Sequence, residues 1–433
     1  MKYFTLYILF IGFTLNTQNT LLKANYHYDS DKGEFGGYIE VLVQQNKIKA
    51  IGNKLSYDAS KTKVIDLGEA TLLPGLIDAH THVLIEEELH PNYFGFGETV
   101  AKNVITKSDA YRALEGASRA KSYLHEGFTT IRDLGNSGLY ADVDLRNAID
   151  NELIVGSRMF VSGPGIAATG GQAYGLSFSY SKDIAHKDYQ IINDKQEAIA
   201  AVRDHVLMRV DLIKVHADNI PNKTTLSLEE LAVIVQEAKR HDKKVTAHAI
   251  TDRAIWNAAK AGVCSIEHAY IMRDSTLNFI KQKGITLIPT YSNKEISNEM
   301  FLKSGMSDST RRKGIIERSA KRQQSSLMKL YKSNVKLAFG SDFYSKISHS
   351  RGESAKKSMY AWLEAGIPLE KVLQYATKNA AFLVNTPRNK FGVLKEKYTA
   401  DIIAVKGDLS KDSKLLEQCK FVMKNGKVIP LNN

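Results

Sequence analysis

Cysteine is nearly absent, with two residues in a chain of 433. Cys264 and Cys419 fall in segments assigned below to different domains, so no disulfide framework is expected and the fold must rest on its core. Cys264 itself reads as a buried apolar residue. No cysteine lies near the N-terminus to accept a lipid. The apolar run Tyr3 to Leu15 is too short for a comfortable membrane span. Neither a low-complexity tract nor a repeat beyond a strand-helix alternation is found. A basic stripe with interleaved aromatics is also missing. The formal charge of +12, with small clusters at Arg311-Arg312-Lys313 and Lys321-Arg322, therefore reads as a solvated basic surface and not as a nucleic-acid interface.

What is present begins with Met1-Lys2, the apolar run, and then Asn16-Thr17-Gln18-Asn19, which have the n-region and h-region of a secretory signal. Residues 1–19 are expected to be a signal peptide, giving a secreted or periplasmic protein with no stable membrane insertion after cleavage. The alternative is an uncleaved single anchor helix, because no clean small-x-small cleavage pattern follows. The remainder is 43% apolar by the whole-chain count, enough to bury a large core.

From residue 73 to 388 short apolar runs alternate with amphipathic stretches, the pattern of repeated strand-helix units and a parallel sheet. The strand candidates are Gly75–Val83, Thr129–Leu134, Met159–Gly163, Leu212–His216, Lys244–His248, Cys264–His268, Thr286–Thr290 and Lys336–Gly340. Helices are expected at Asp109–Glu126 and at Leu228–His241, the second opened by a Ser227/Glu230 capping box. This spells an α/β chain with a (β/α)8 TIM barrel. Residues 20–72 and 389–433 carry strand pairs around polar turns and are expected to form one small β-sandwich domain built from both termini. Thr20 to His27 reads as its first strand.

In such a barrel the C-terminal strand ends form the active face. His80 and His82 end the first strand with both imidazoles on one side. Lys214 ends the fourth, His248 the fifth and His268 the sixth, while Asp342 follows the eighth. Imidazoles with one carboxylate suit a divalent transition metal, with zinc the default. Lys214 needs its own account, since a protonated ammonium is repelled by a cation and has no lone pair. It is a carbamate bridging two metals, a core-edge lysine paired with Asp342, or a bystander at a one-metal site. Gln172, His216, Tyr291, His349 and Arg351 follow strands closely enough to contact substrate, Arg351 by pairing with a carboxylate. Arg132-Asp133 reads as a buried ion pair. His90, His125, His186, His205 and His241 read as structural or surface residues.

The chain resembles the amidohydrolase superfamily, in the branch near imidazolonepropionase-like and prolidase-like enzymes. The matching stretches are Leu73-Pro-Gly-Leu-Ile-Asp-Ala-His-Thr-His82, Gly127–Gly135, Ile213-Lys-Val215, Val245-Thr-Ala-His-Ala249, Ser265-Ile-Glu-His268, Ala338-Phe-Gly-Ser-Asp342, Ala376–Ala380 and Thr399–Ile402. The resemblance implies two divalent metal ions, with Zn2+ as the default. One would be held by His80, His82, Lys214 and Asp342, the other by Lys214, His248 and His268, with carboxylated Lys214 as the bridge. It further implies a bridging hydroxide as nucleophile and Asp342 as proton shuttle. Prolidase-like relatives carry a substrate-contacting histidine and tyrosine where this chain has Gln172 and Ile250, and Ser341 stands where threonine is frequent.

The expected function is hydrolysis of a carbon–nitrogen bond in a small-molecule amide such as a dipeptide or N-acyl amino acid. The alternatives are a mononuclear cyclic-amide hydrolase or deaminase, and a catalytically silent barrel that only binds. The resembling family also suggests a homo-oligomer.

Overall fold

The computed structural model describes residues 19–92, 95–219, 222–387 and 389–431. All of the expected signal segment except Asn19 lies outside them. The N-terminal strands are β1 (Asn19–Ala24), β2 (Tyr26–Asp29), β3 (Glu34–Gly36), β4 (Ile39–Gln44), β5 (Lys47–Gly52), β6 (Thr62–Asp66) and β7 (Ala70–Pro74). The expected strand from Thr20 to His27 is in fact two. Asn25 leaves the ladder and donates its N–H to the Gly68 carbonyl, so β1 joins the sheet β5-β4-β1-β6 while β2 pairs with β7 in another. The hairpin of β4 and β5 turns at Gln45, whose φ of +54° supplies the left-handed residue of a tight turn.

The parallel strands follow, with helices between most of them. β8 (Leu76–Thr81), β9 (Phe128–Asp133) and β10 (Arg158–Val161) form one parallel sheet. β11 (Gly165–Ala167), β12 (Tyr189–Ile191), β13 (Leu212–His216), β14 (Lys244–Ala249), β15 (Ser265–His268) and β16 (Thr286–Ile288) form a second, in the order β12-β11-β13-β14-β15-β16. Two expected strands are altered. The third divides around Gly163 and Pro164, where a positive φ and a missing N–H interrupt the ladder, and it continues as β11 in the second sheet. The eighth, around Leu337, forms an isolated bridge to Leu287 in place of a regular strand. Its backbone still bonds to both neighbours: Leu287 N–H donates to Lys336 O, and Ala79 N–H to Phe339 O.

The helix Leu228–Arg240 starts with the expected Ser227/Glu230 capping box. The C-terminal strands β17 (Ile402–Lys406), β18 (Cys419–Lys424) and β19 (Lys427–Ile429) extend the N-terminal strands into the sheet β19-β18-β17-β7-β2-β3. One apolar cluster joins the two terminal sheets, with Leu22, Val41 and Val43 from the first and Leu72, Ile402 and Met423 from the second. Only Gly75 separates β7 from β8, and a Cβ there would lie 2.1 Å from Thr129 Oγ1. Among the described residues no helix is long and apolar enough to cross a membrane.

Candidate metal centre and active site

Adjacent parallel strands deliver the polar residues to one end of the sheets. On β13, Lys214 and His216 are two apart and share a face, and the register sets His216 beside His248 of β14. β15 ends at His268, whose φ of +70° turns it out of the ladder, and Asp342 has a φ of +50°. Each left-handed non-glycine residue costs on the order of 1 kcal/mol and persists because its surroundings hold it. For Asp342 that hold includes its own N–H, which donates to His80 O at 2.8 Å.

His80 and His82 are oriented from behind. His80 Nδ1 meets Glu267 Oε2 at 2.7 Å, and His82 Nδ1 meets the Gly135 carbonyl at 3.0 Å. Both partners are acceptors, so both Nδ1 atoms carry the proton and both Nε2 atoms are bare lone pairs. Those two Nε2 atoms lie 3.2 Å apart, and Asp342 Oδ1 lies 3.4 and 3.2 Å from them. Three acceptors face one another with no proton among them, the arrangement that a cation resolves. These residues form the group able to hold a metal ion, with ligand atoms all within 4.8 Å of one another.

Burial keeps His80, His216, His248 and His268 neutral. It pushes His80 down to about 4 and His248 to about 3, and holds His216 and His268 well below the usual range. His248 Nε2 and both nitrogens of His216 are buried without a hydrogen-bond partner, and His248 Nε2 lies 3.7 Å from Asp218 Oδ1. Burial opposes ionisation of Asp342, yet the carboxyl lies below its usual range, with the nearby Lys214 among the groups that favour its charge. Burial also resists a charged Glu267, yet Arg132 and His80 keep it ionised far into acid. Lys214, 1% exposed, is lowered to about 8 by burial and makes no ion pair with Asp342, whose partners are the histidines. The donor set thus fits a divalent transition metal.

A cavity of about 240 Å³ collects His80, His82, Lys214, His248, His268 and Asp342, together with Gln172 and His216. Phe96, Asn136, Tyr174, Ile250, Tyr270 and Tyr344 complete its lining. The other three proposed substrate contacts lie elsewhere. Tyr291 stacks behind Tyr270 with centroids 5.0 Å apart and donates to Ser326 Oγ. His349 faces Glu295 at 3.4 Å. Arg351 is buried, and its two Nη atoms donate to the carbonyls of His82, Phe343, Ile85 and Tyr344.

Arg132 does not pair with Asp133. Neighbours on a strand point to opposite faces, and Arg132 pairs with Glu267 at 2.6 Å while Asp133 accepts from Val83 N–H and Thr81 Oγ1. Glu267 is the important residue that the sequence reading passed over. Its place directly before His268, on the strand face of Ser265, was the available signal. Tyr270 stands two residues beyond His268, the spacing of the first histidine pair. Phe96 and Tyr174 come from segments with no such pattern.

The chain is 28% identical over 389 residues to ochratoxinase of Aspergillus niger, a match covering 82% of this chain and 75% of that protein. It is 29% identical over 115 residues to imidazolonepropionase of Photorhabdus laumondii subsp. laumondii, covering 23% of this chain and 28% of that one. Among solved structures, a Xaa-Pro dipeptidase with bound methionine in the active site matches with a TM-score of 0.79 and 26% identity, over 95% of this chain and 100% of that chain. The crystal structure of A. niger ochratoxinase matches in fold with a TM-score of 0.79 and 24% identity, over 95% of each chain. The protein is an enzyme, a hydrolase acting on carbon–nitrogen bonds. A model of the amidohydrolase family matches residues 71–431, and the chain belongs to that family.

Proposed function

We propose that the enzyme is a metal-dependent amidohydrolase that cleaves the amide or peptide-like bond of a small substrate such as a dipeptide or N-acyl amino acid. The observation that carries this reading is the meeting of bare His80 Nε2, bare His82 Nε2 and ionised Asp342 at 3.2–3.4 Å. The residues that would hold a first ion are His80, His82, Lys214 and Asp342, and those for a second are Lys214, His248 and His268. Two divalent ions, Zn2+ on this donor set, would supply carbonyl polarisation and a more acidic water.

The protein's own groups do the rest. A Lys214 amine pushed down to about 8 is partly neutral near pH 7; it adds to carbon dioxide and loses a proton, leaving an anionic carbamate. Asp342, held ionised, takes a proton from the attacking water and passes it to the nitrogen of the departing amine. Glu267 and the Gly135 carbonyl fix the tautomers of His80 and His82 throughout. His216 and Gln172 contact the substrate, and the rings of Phe96, Tyr174, Tyr270 and Tyr344 limit water around it.

On this reading residues 73–388 form a (β/α)8 barrel, supported by the backbone bonds of residues 336–339 to β16 and β8. Residues 20–72 and 389–433 form a β-sandwich, supported by the apolar cluster shared by their two sheets. Residues 1–19 direct the enzyme out of the cytoplasm. The test is a screen of zinc-loaded protein over dipeptides and N-acyl amino acids, read by release of free amine. Turnover that Asp342→Asn abolishes with metal retained supports the reading. Absence of amine release across the panel refutes it. Loss of one of two bound metals in Lys214→Ala supports the carbamate bridge, and an unchanged metal count refutes it.

A further inference from the structure

Two imidazoles of the cavity are held from behind by groups that can only accept, Glu267 for His80 and the Gly135 carbonyl for His82. His268 is held differently. Its Nδ1 meets a hydroxyl, Thr290 Oγ1, at 2.8 Å, and a hydroxyl can either give or take a proton. The His268 ring lies 4.4 Å from that of His248 and 5.1 Å from that of His80, centroid to centroid. The direction of the Thr290 bond therefore decides whether His268 offers the cavity a lone pair or an N–H.

Tyr270, two residues beyond His268, sets that direction. Its Oη lies 3.1 Å from the Thr290 carbonyl and 2.7 Å from Thr290 Oγ1, with one proton for the two contacts. The carbonyl can only accept, so the Tyr270 proton belongs there. Thr290 Oγ1 then gives its own proton to Tyr270 Oη and accepts the one on His268 Nδ1. The reverse order would set the Tyr270 oxygen against the carbonyl with no proton between them. It would also leave a bare Nδ1 3.6 Å from Asp342 Oδ2, where a carboxylate favours an N–H. The tyrosine is braced in turn: its ring stacks on Tyr291 with centroids 5.0 Å apart, and Tyr291 donates to Ser326 Oγ on the helix Ser309–Ser333.

We propose that Tyr270 and Thr290 are positioning residues for metal binding, a hydroxyl relay ended by the Thr290 carbonyl that keeps the His268 proton on Nδ1 and its Nε2 open to a divalent ion. This rests on the two-ion reading above and adds to it the groups that prepare the second ion's histidine. The Tyr270 hydroxyl thus acts through His268 and not on substrate.

The test begins with metal-free protein labelled with 15N-histidine, in which the His268 resonance, assigned by its absence from His268→Asn, is expected to show the Nδ1–H form. Tyr270→Phe keeps the ring on Tyr291 but releases the Thr290 proton toward Nδ1, and should move His268 to the Nε2–H form. Titration with Zn2+ against a competing chelator should show one of two ions bound roughly 10- to 100-fold less tightly in Tyr270→Phe and in Thr290→Val. Thr290→Ser keeps the hydroxyl and should restore the affinity. An unchanged His268 form in Tyr270→Phe, or a loss in Thr290→Ser equal to that in Thr290→Val, overturns the proposal. If only one ion binds and His268→Asn leaves it in place, the two-ion reading fails and the resonance decides the relay alone. A shift to the Nε2–H form in Tyr270→Phe then retains the relay, and no shift refutes it.

Discussion

Replacing Arg351 by methionine should disable the catalytic end of the molecule without touching substrate. Its guanidinium is buried, and burial lowers it to about 10, so it remains charged at neutral pH. Nη1 donates to His82 O at 3.1 Å and Phe343 O at 2.9 Å, and Nη2 to Ile85 O at 2.7 Å and Tyr344 O at 2.6 Å. All four Nη hydrogens are thus used, and they tie the turn after β8 to the turn after Asp342. A hydrogen bond to a charged group contributes about 1.5–3 kcal/mol, and such terms are not additive; relief of the guanidinium's own desolvation offsets part of the loss. Arg351→Met should therefore cost about 3–5 kcal/mol, a large part of a stability that is ~5–15 kcal/mol for natural domains. Arg351→Lys has three donors for four carbonyls and should lose about half as much. Urea unfolding measures the stability, and divalent metal retained after dialysis measures the site. Loosening a support behind metal ligands is expected to weaken the metal roughly 10- to 100-fold. Unchanged stability and metal content, with a raised KM for acidic substrates alone, would refute the clamp and return Arg351 to substrate binding.

Glu267→Gln should lower divalent-metal affinity roughly 10- to 100-fold, because an amide can present its N–H2 to His80 and no longer enforces one tautomer; metal titration checks this, and unaltered affinity counts against it. Gly165→Ala places a Cβ 2.5 Å from His216 Nε2, so activity should fall sharply at a stability cost of about 1–3 kcal/mol; full activity would show that His216 does not contact substrate. Lys424, lowered to about 8 chiefly by burial, binds fewer protons in the folded state than in the unfolded chain. Stability attributable to it should rise as pH climbs from about 8 toward the unfolded value near 10.4. Lys424→Met should flatten that rise in melts taken across the same window, and an unchanged slope would contradict the assignment.

The catalytic end was legible where local periodicity carries the information. His80 and His82, or Lys214 and His216, share a face because a strand repeats every two residues, and that rule needs no tertiary knowledge. The division of Thr20–His27 at Asn25 was not legible, since the two halves separate only by pairing with strands that lie far along the chain. Glu267 was half legible: its neighbour His268 was identified, but the left-handed turn that lets both residues serve the site leaves no mark in composition. Arg351 was misplaced for a different reason. It reads as a polar loop residue, yet Ser350 and Glu353 form a capping box that starts a helix there, and S-x-x-E was present in the sequence. Tyr291 follows its strand as expected, and only the stacking of Tyr270 over it takes it out of the cavity.

The single residue between β7 and β8 sets an order of events in biosynthesis. β7 has β2 as one neighbour and β17 as the other, and β17 is synthesised only after all of the parallel strands. Until it arrives, the strand leading directly into His80 and His82 lacks half of its ladder, and closing so distant a contact is slow. The histidine pair is thus braced by a strand that follows all of the parallel strands in the chain, and a variant with β17 disrupted is expected to hold the pair less firmly.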